Sequence, residues 1–453
     1  MLLRSTQSLC PVCLRRLDAS YVEEDGTVYL QKKCPAHGSF RTPIWTNYPN
    51  LPSFKAWSRP KSPSYPTKPV TSQQLGCPFD CGLCPWHAQH TCTALLEITK
   101  SCNLNCPLCY AAAGQEKSEP SLQELFKQVL KIKELCGRCH LQFSGGEPTV
   151  RADLTKLIAF AASQEFSLLQ LNTNGLRLAT EPGYAESLAQ AGLESVYLQW
   201  DGVSEATFQS LRGRPCLEFK HQALAACERA GLGVVLVATL VKGVNETELG
   251  ALLRLALSFG PFVRGLHLQP AAFFGRYPYN LHAAPRLTLP MVMAALIKQA
   301  PELVQTSDFH PPACEHELCS FSAVYERVGS SLKPLRQNSS CCCKPLSLQA
   351  SEGARKSKAF TALHWRGLSA KQKVSNLSQR SVQNKEAFAD FLAKNKLKDR
   401  FTLSAMAFQD VLSLDVQRVR GCCIHVLRSD GRLLPFCLHN LTDQNLQKLY
   451  PDA

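Results

Sequence analysis

From about residue 93 onward, short apolar runs alternate with helix-period segments. The runs Ala94–Ile98, Leu141–Ser144, Leu168–Leu171, Val196–Gln199, Val234–Leu240 and Gly265–Gln269 have the length of strands. Between them, helical periods fall near 121–135, 152–163, 183–191, 218–230 and 247–258. This alternation predicts parallel βα units, as a barrel-like arc or an open doubly wound sheet. Either arrangement puts the chemistry at the carboxyl ends of the strands. Ahead of them, Tyr21–Leu30 reads as a hairpin with an Asp25-Gly26 turn. Prolines crowd residues 42–70, which reads as an extended linker. Residues 351–382 are Ser-, Lys- and Arg-rich with little periodicity and read as a weakly structured basic insertion.

Charge changes this picture only locally. The 453-residue chain carries a formal +14, and residues 351–400 hold 12 Lys/Arg against 4 Asp/Glu, an excess of +8. Such a patch suits an anionic lipid surface, an acidic electron donor or simple solvation, rather than a chain-wide nucleic-acid surface. At 45% hydrophobic residues the chain can bury a large core. Its apolar runs are strand-sized, which argues against a membrane span, and its start lacks the layout of a signal peptide. A cytoplasmic protein is expected.

The 22 cysteines change it most. In a large cytoplasmic chain, clustered cysteines point to metal binding before disulfides. Cys10-x2-Cys13 and Cys34-x2-His37 are paired knuckles that suit a tetrahedral zinc or a mononuclear, rubredoxin-like iron. Cys102-x3-Cys106-x2-Cys109-Tyr110 follows the first strand of the series directly. Three thiolates on one loop can hold three irons of a cubane and leave the fourth iron open. One βα unit later, Gly145-Gly146-Glu147-Pro148 ends the next strand, with glycines that permit close backbone approach and a carboxylate beside them.

This pair of motifs resembles the radical S-adenosylmethionine (SAM) superfamily. The resemblance implies an α/β fold, a partial (β/α)6 TIM-like barrel, and a [4Fe–4S] cluster on Cys102, Cys106 and Cys109. Its open iron would chelate SAM, and reductive cleavage would give a 5′-deoxyadenosyl radical. Tyr110, Gly145, Gly146, Glu147, Pro148, Thr173, Asn174, Gln199, Asp201, Asn245 and Gln269 are then expected to grip SAM. Cys77-x3-Cys81-x2-Cys84 has the same spacing, but no apolar strand precedes it and Cys92 offers a fourth ligand. These four are expected to hold an auxiliary [4Fe–4S] cluster, with structural zinc as the alternative.

The likeness narrows to the subgroup of archaeal tetraether lipid synthase and the pterin C-methylating radical SAM enzymes. It rests on Cys10-Pro11-Val12-Cys13, Cys34-Pro35-Ala36-His37-Gly38, Gly76–Cys84, Leu198–Gly202 and Pro435-Phe436-Cys437. It implies a second auxiliary cluster on Cys314, Cys319, Cys422 and Cys437, with Cys423 able to replace Cys422. Glu315 stands where a second adjacent cysteine is expected, and Cys341–Cys343 are unaccounted for. Four units follow: a Cys3His metal ribbon (1–45), a Pro-rich linker with the auxiliary segment (46–92), the partial barrel (93–305), and a C-terminal auxiliary-cluster region (306–453) containing the basic insertion. The expected reaction forms a C–C bond at an unactivated carbon, with lipid alkyl-chain coupling as the lead. The alternatives are C-methylation of a pterin-like substrate and peptide modification. Expected partners are SAM, a lipid or small-molecule substrate and an external electron donor such as flavodoxin or ferredoxin, with possible contact at the membrane periphery. A zinc-ribbon nucleic-acid binder would leave Gly145–Pro148 and the open three-cysteine loop without a role.

Overall fold

The computed structural model describes residues 1–114, 119–281, 286–329, 331–335, 349–367 and 399–451. Cys341–Cys343 and residues 368–382 of the basic insertion lie outside the described residues.

The amino-terminal ribbon is an antiparallel meander of β1 (Leu2–Leu9), β2 (Arg16–Glu24), β3 (Thr27–Cys34) and β4 (Gly38–Thr46). Asp25 and Gly26 both have positive φ, 48° and 72°, as the tight hairpin between β2 and β3 requires. The linker begins later than expected, because residues 42–46 belong to β4. Pro43 is tolerated there since β4 is an edge strand and the register shifts opposite it. The ribbon docks on the C-terminal segment through the buried Asp415. This carboxylate accepts hydrogen bonds from Thr6 Oγ1 (2.5 Å), Tyr21 Oη (2.6 Å) and Arg4 Nη2 (3.1 Å).

The expected strands form as β5 (Thr93–Thr99), β6 (His140–Gly145), β7 (Leu168–Thr173), β8 (Ser195–Gln199), β9 (Gly233–Leu240) and β10 (Val263–Pro270). They pair in parallel in chain order. The C-terminal region extends both edges of this arc. β11 (Ser320–Val328), β12 (Ser331–Pro334) and β13 (Arg400–Met406) join beyond β10, while β14 (Ile424–Leu427) and β15 (Leu433–Pro435) join beyond β5. β13 and β14 are parallel to their barrel neighbours, so eight strands among the described residues run in one direction. The ends of the sheet, β12 and β15, are not paired with each other, and the barrel stays partial.

Part of the basic insertion is ordered, contrary to the expectation for 351–382. Ala350–His364 is a helix, and the segment after it closes the amino-terminal mouth of the barrel. His140 Nε2 bonds with Lys358 O (3.1 Å), Arg366 Nη2 donates to Ser167 O (2.7 Å), and Gly367 N donates to Glu194 O (3.0 Å). Trp365 O lies so close to Gly233 that a Cβ there would meet it at 2.1 Å. No helix among the described residues is long and apolar enough to cross a membrane.

Candidate active site and thiol groups

A cavity of about 1010 Å³ fills the barrel from the strand carboxyl ends down to this floor. That volume is at the upper end of the roughly 300–1,000 Å³ usual for one small-molecule site. Cys102, Cys106, Cys109, Tyr110, Gly145, Gly146, Glu147, Thr173, Asn174, Gln199 and Gln269 all line it.

The end of β6 lies flush against the loop that carries the three cysteines. Gly146 N donates to Thr99 O (2.8 Å) and Glu147 N to Ser101 O (2.9 Å). A Cβ on Gly145 would meet Thr99 O at 2.2 Å, and one on Gly146 would meet Ser101 O at 2.1 Å. The two glycines are therefore needed for strand–loop contact as well as for ligand approach. Glu147 is 1% exposed and already engaged. Its Oε1 accepts from Thr149 Oγ1 and Thr173 Oγ1 (both 2.6 Å), and its Oε2 from Asn174 N (2.7 Å). Asn174 Nδ2 in turn donates to Asn103 Oδ1 (2.7 Å), tying β7 to the cysteine loop. Tyr110 Oη and Ser144 Oγ share a hydrogen bond of 3.0 Å, and burial pushes the phenol well above its usual range.

Three expected SAM contacts do not line the cavity: Pro148, Asp201 and Asn245. Pro148 begins the short 3-10 turn 148–150. Asp201 has no exposed side-chain surface and faces Arg212, which grips it bidentately through Nε (2.7 Å) and Nη2 (2.6 Å). Gln199 Nε2 also donates to Asp201. Asn245 closes a turn by donating to Asp201 O and Thr239 O (both 2.8 Å) and accepting from Val241 N (2.8 Å). These residues support the strand ends from behind.

Two residues of the site were not singled out from sequence. Arg212 lines the cavity, holds Asp201 and donates to Leu108 O (3.3 Å) in the cysteine loop. Lys220 is 1% exposed and donates to Asn174 O (2.5 Å) and Gln199 Oε1 (2.8 Å). Burial lowers its pKa to about 8 against the raising effect of Asp201. A lysine amid the apolar positions of the helix Leu217–Arg229 was the available signal.

The remaining thiols fall into groups that differ in part from expectation. Cys10, Cys13, Cys34 and His37 place their ligand atoms within 4.8 Å of one another, which fits one tetrahedral ion. Cys77, Cys81 and Cys84 stand together, each shifting another's pKa, but Cys92 is not with them. Cys92 instead meets Cys314, and Cys423 completes a buried trio whose sulfurs lie within 4.8 Å of one another. The backbone places it there, since Cys92 N donates to Cys423 O (2.8 Å) as β5 begins beside β14. The expected set of Cys314, Cys319, Cys422 and Cys437 is accordingly split. Cys319, Cys422 and Cys437 remain neighbours; burial raises each thiol, and neighbouring thiols add to the rise at Cys422 and Cys437 while Glu315 and Glu317 add to it at Cys319.

A parallel βα arc, with three loop cysteines opening on a cavity at its strand ends, defines the protein as a radical SAM enzyme. Residues 96–256 match the model of the Radical SAM superfamily, and residues 2–46 match that of the HMPTM N-terminal zinc ribbon domain. The chain is 31% identical to 7,8-dihydro-6-hydroxymethylpterin dimethyltransferase of Methanocaldococcus jannaschii, covering 96% of this chain and 93% of the relative. It belongs to the family of that enzyme, a zinc ribbon followed by a radical SAM domain. A probable GTP 3′,8-cyclase of Aeropyrum pernix is 29% identical over 39% of this chain and 50% of its own. Among solved structures, Streptococcus suis SuiB bound to S-adenosylmethionine is similar at 14% identity and a TM-score of 0.34, over 40% of this chain and 41% of that one.

Enzymes of this superfamily use a [4Fe–4S] cluster and SAM. The residues present fit both: three thiols on one loop supply three soft ligands and leave one metal position open to the cavity. The ribbon's donor set fits a further mononuclear metal, and the other thiol groups fit auxiliary clusters.

Proposed function

We propose that the protein is a radical SAM C-methyltransferase acting on a pterin-like substrate. The carrying observation is the likeness to the pterin dimethyltransferase along 96% of the chain, ribbon and C-terminal region included. The cavity lining agrees with it. Gln142, Gln170 and His267 line the interior and bond in part with one another and with Ser195 and Ser404, but the amide oxygen of Gln142 and the second ring nitrogen of His267 keep capacity that a hydrocarbon tail would leave unused. A flat heterocycle with ring nitrogens would pair them. Lipid alkyl-chain coupling, the lead from sequence, is therefore the weaker of the two readings.

When bound, the cluster and SAM supply a carbon-centred radical able to abstract a substrate hydrogen. Cys102, Cys106 and Cys109 would hold the cluster. Lys220 fixes Asn174 and Gln199 from beneath, so that both present defined groups to a ligand at the strand ends. Arg212 neutralises the buried Asp201 beside that loop. Ala350–His364 and Trp365 line the lower cavity as a floor. A one-electron donor such as flavodoxin or ferredoxin would supply the reducing equivalent.

The test is anaerobic incubation of the reconstituted enzyme with SAM, dithionite, 7,8-dihydro-6-hydroxymethylpterin and a small-molecule cell extract as the source of the transferred one-carbon unit, read by mass spectrometry. A pterin heavier by one or two methyl groups is expected. An unmodified pterin, with a coupled alkyl product from lipid extract instead, would overturn the proposal.

A further inference from the structure

Barrel interiors are ordinarily filled by branched apolar side chains. Here β6, β7, β8, β10 and β13 each turn a polar or aromatic residue inward at mid-strand: Gln142, Gln170, Tyr197, His267 and Ser404. Part of this layer is internally paired. Gln142 Nε2 donates to Gln170 Oε1 (3.0 Å), Gln170 Nε2 donates to Ser195 Oγ (3.1 Å), and His267 Nδ1 shares a hydrogen bond with Ser404 Oγ (2.9 Å). Aromatic rings continue to the floor, with Tyr197 5.9 Å from His267 and 5.5 Å from Trp365. Trp365 Nε1 is buried without a hydrogen-bond partner among the described residues.

Among the described residues, two carboxylates line the cavity, Glu147 and Glu315. Glu147 spends both oxygens on Thr149, Thr173 and Asn174. Glu315 spends Oε1 on the Ser320 hydroxyl and has no further acceptor bond from a described residue. Its backbone is pinned by Lys61 Nζ, which donates to Glu315 O. It lies near enough to Tyr197 to add to the rise that burial imposes on that phenol. A carboxylate with spare acceptor capacity thus lines the same cavity as the aromatic wall and the cysteine loop.

We propose that Glu315 anchors the 2-amino-4-oxopyrimidine edge of the pterin-like substrate, with Tyr197 and Trp365 forming an aromatic wall on one side of the ring. This rests on the pterin reading above and adds to it the groups that select the ring. The edge presents two adjacent donors, N3–H and the 2-amino group, which match a carboxylate's two acceptors. A site built to receive two donors rejects an analogue that lacks one, because a buried acceptor is then left unpaired.

The experiment uses the full chain, reconstituted anaerobically with SAM, and measures equilibrium binding of two probes. One is 7,8-dihydro-6-hydroxymethylpterin, and the other its 2-oxo (lumazine) counterpart. The wild-type protein is expected to prefer the pterin by about tenfold or more. Glu315→Gln should weaken pterin binding by about 10- to 100-fold and shift preference toward the lumazine, whose 2-oxo group can accept from the new amide. Glu315→Asp should retain the pterin preference. Iron and sulfide per chain in Glu315→Gln should equal wild type. Pterin binding unchanged in Glu315→Gln overturns the proposal, as does iron lost from that variant, which would make Glu315 a ligand of the neighbouring thiol group. A wild-type protein that binds neither probe overturns the pterin reading itself, and this inference with it.

Discussion

Replacing Gly146 with Ala tests the contact that holds the cysteine loop to β6. The added Cβ would sit 2.1 Å from Ser101 O, 2.8 Å from Ser101 C and 2.9 Å from Lys100 O, all backbone atoms that cannot rotate away. Gly146 has no positive φ, so the effect is steric. Relief requires strand and loop to part by about an ångström, which breaks the Gly146 N–Thr99 O and Glu147 N–Ser101 O hydrogen bonds. Overpacking costs about 1–3 kcal/mol and each lost hydrogen bond about 1 kcal/mol, giving roughly 3–5 kcal/mol in all. At roughly 1–2 °C of Tm per kcal/mol for a chain of this size, a fall of several degrees follows. The loop that moves carries Cys102, Cys106 and Cys109, so iron retained after anaerobic reconstitution should fall as well. The assay pairs calorimetry with iron counting, and Gly114→Ala is the control, since its Cβ would meet nothing within 4 Å and its φ is not positive. A Gly146→Ala protein with wild-type Tm and iron would refute the reasoning.

Three further outcomes follow from buried charges and thiols. Lys220 binds its proton less tightly folded, at about 8, than unfolded, near 10.5, so the unfolded chain holds more protons between these values. The wild type should therefore gain about 3 kcal/mol relative to Lys220→Met as pH rises across that window, read as a widening Tm difference in its favour. Arg212→Leu leaves the buried Asp201 carboxylate unpaired and should cost about 3–5 kcal/mol, visible in the same melts; Asp201→Asn in the same chain should recover part of it. Cys10→Ser should remove one mononuclear metal per chain while leaving the sulfide count unchanged, since Cys10, Cys13, Cys34 and His37 form a group of their own.

The barrel strands were legible because each is a short apolar run bounded by helical periods, and such runs must be covered on both sides. The added strands were not. Ile424–Leu427 extends the arc by pairing with Thr93–Leu95 across more than three hundred residues, and no local pattern encodes that partner. The helix Ala350–His364 escaped notice because its buried positions include Ala350, Gly353 and Ala354, too small to register as an apolar stripe. The cysteine loop and the Gly-Gly-Glu-Pro turn were readable from spacing, since both act locally. The partner of Cys92 was not, because adjacency in sequence to Cys84 says less than the pairing of β5 with β14. Asp201 and Asn245 stand at strand ends, as expected of ligand contacts, yet Arg212 and the turn after β9 claim their side chains.

The central claim is that Cys102, Cys106 and Cys109, and not the equally spaced Cys77, Cys81 and Cys84, form the SAM-cleaving centre. It is tested most directly by measuring 5′-deoxyadenosine formed from SAM under dithionite in the wild type, Cys106→Ala and Cys81→Ala. The account predicts that cleavage is abolished in Cys106→Ala. Cleavage that survives in Cys106→Ala and disappears in Cys81→Ala would contradict it.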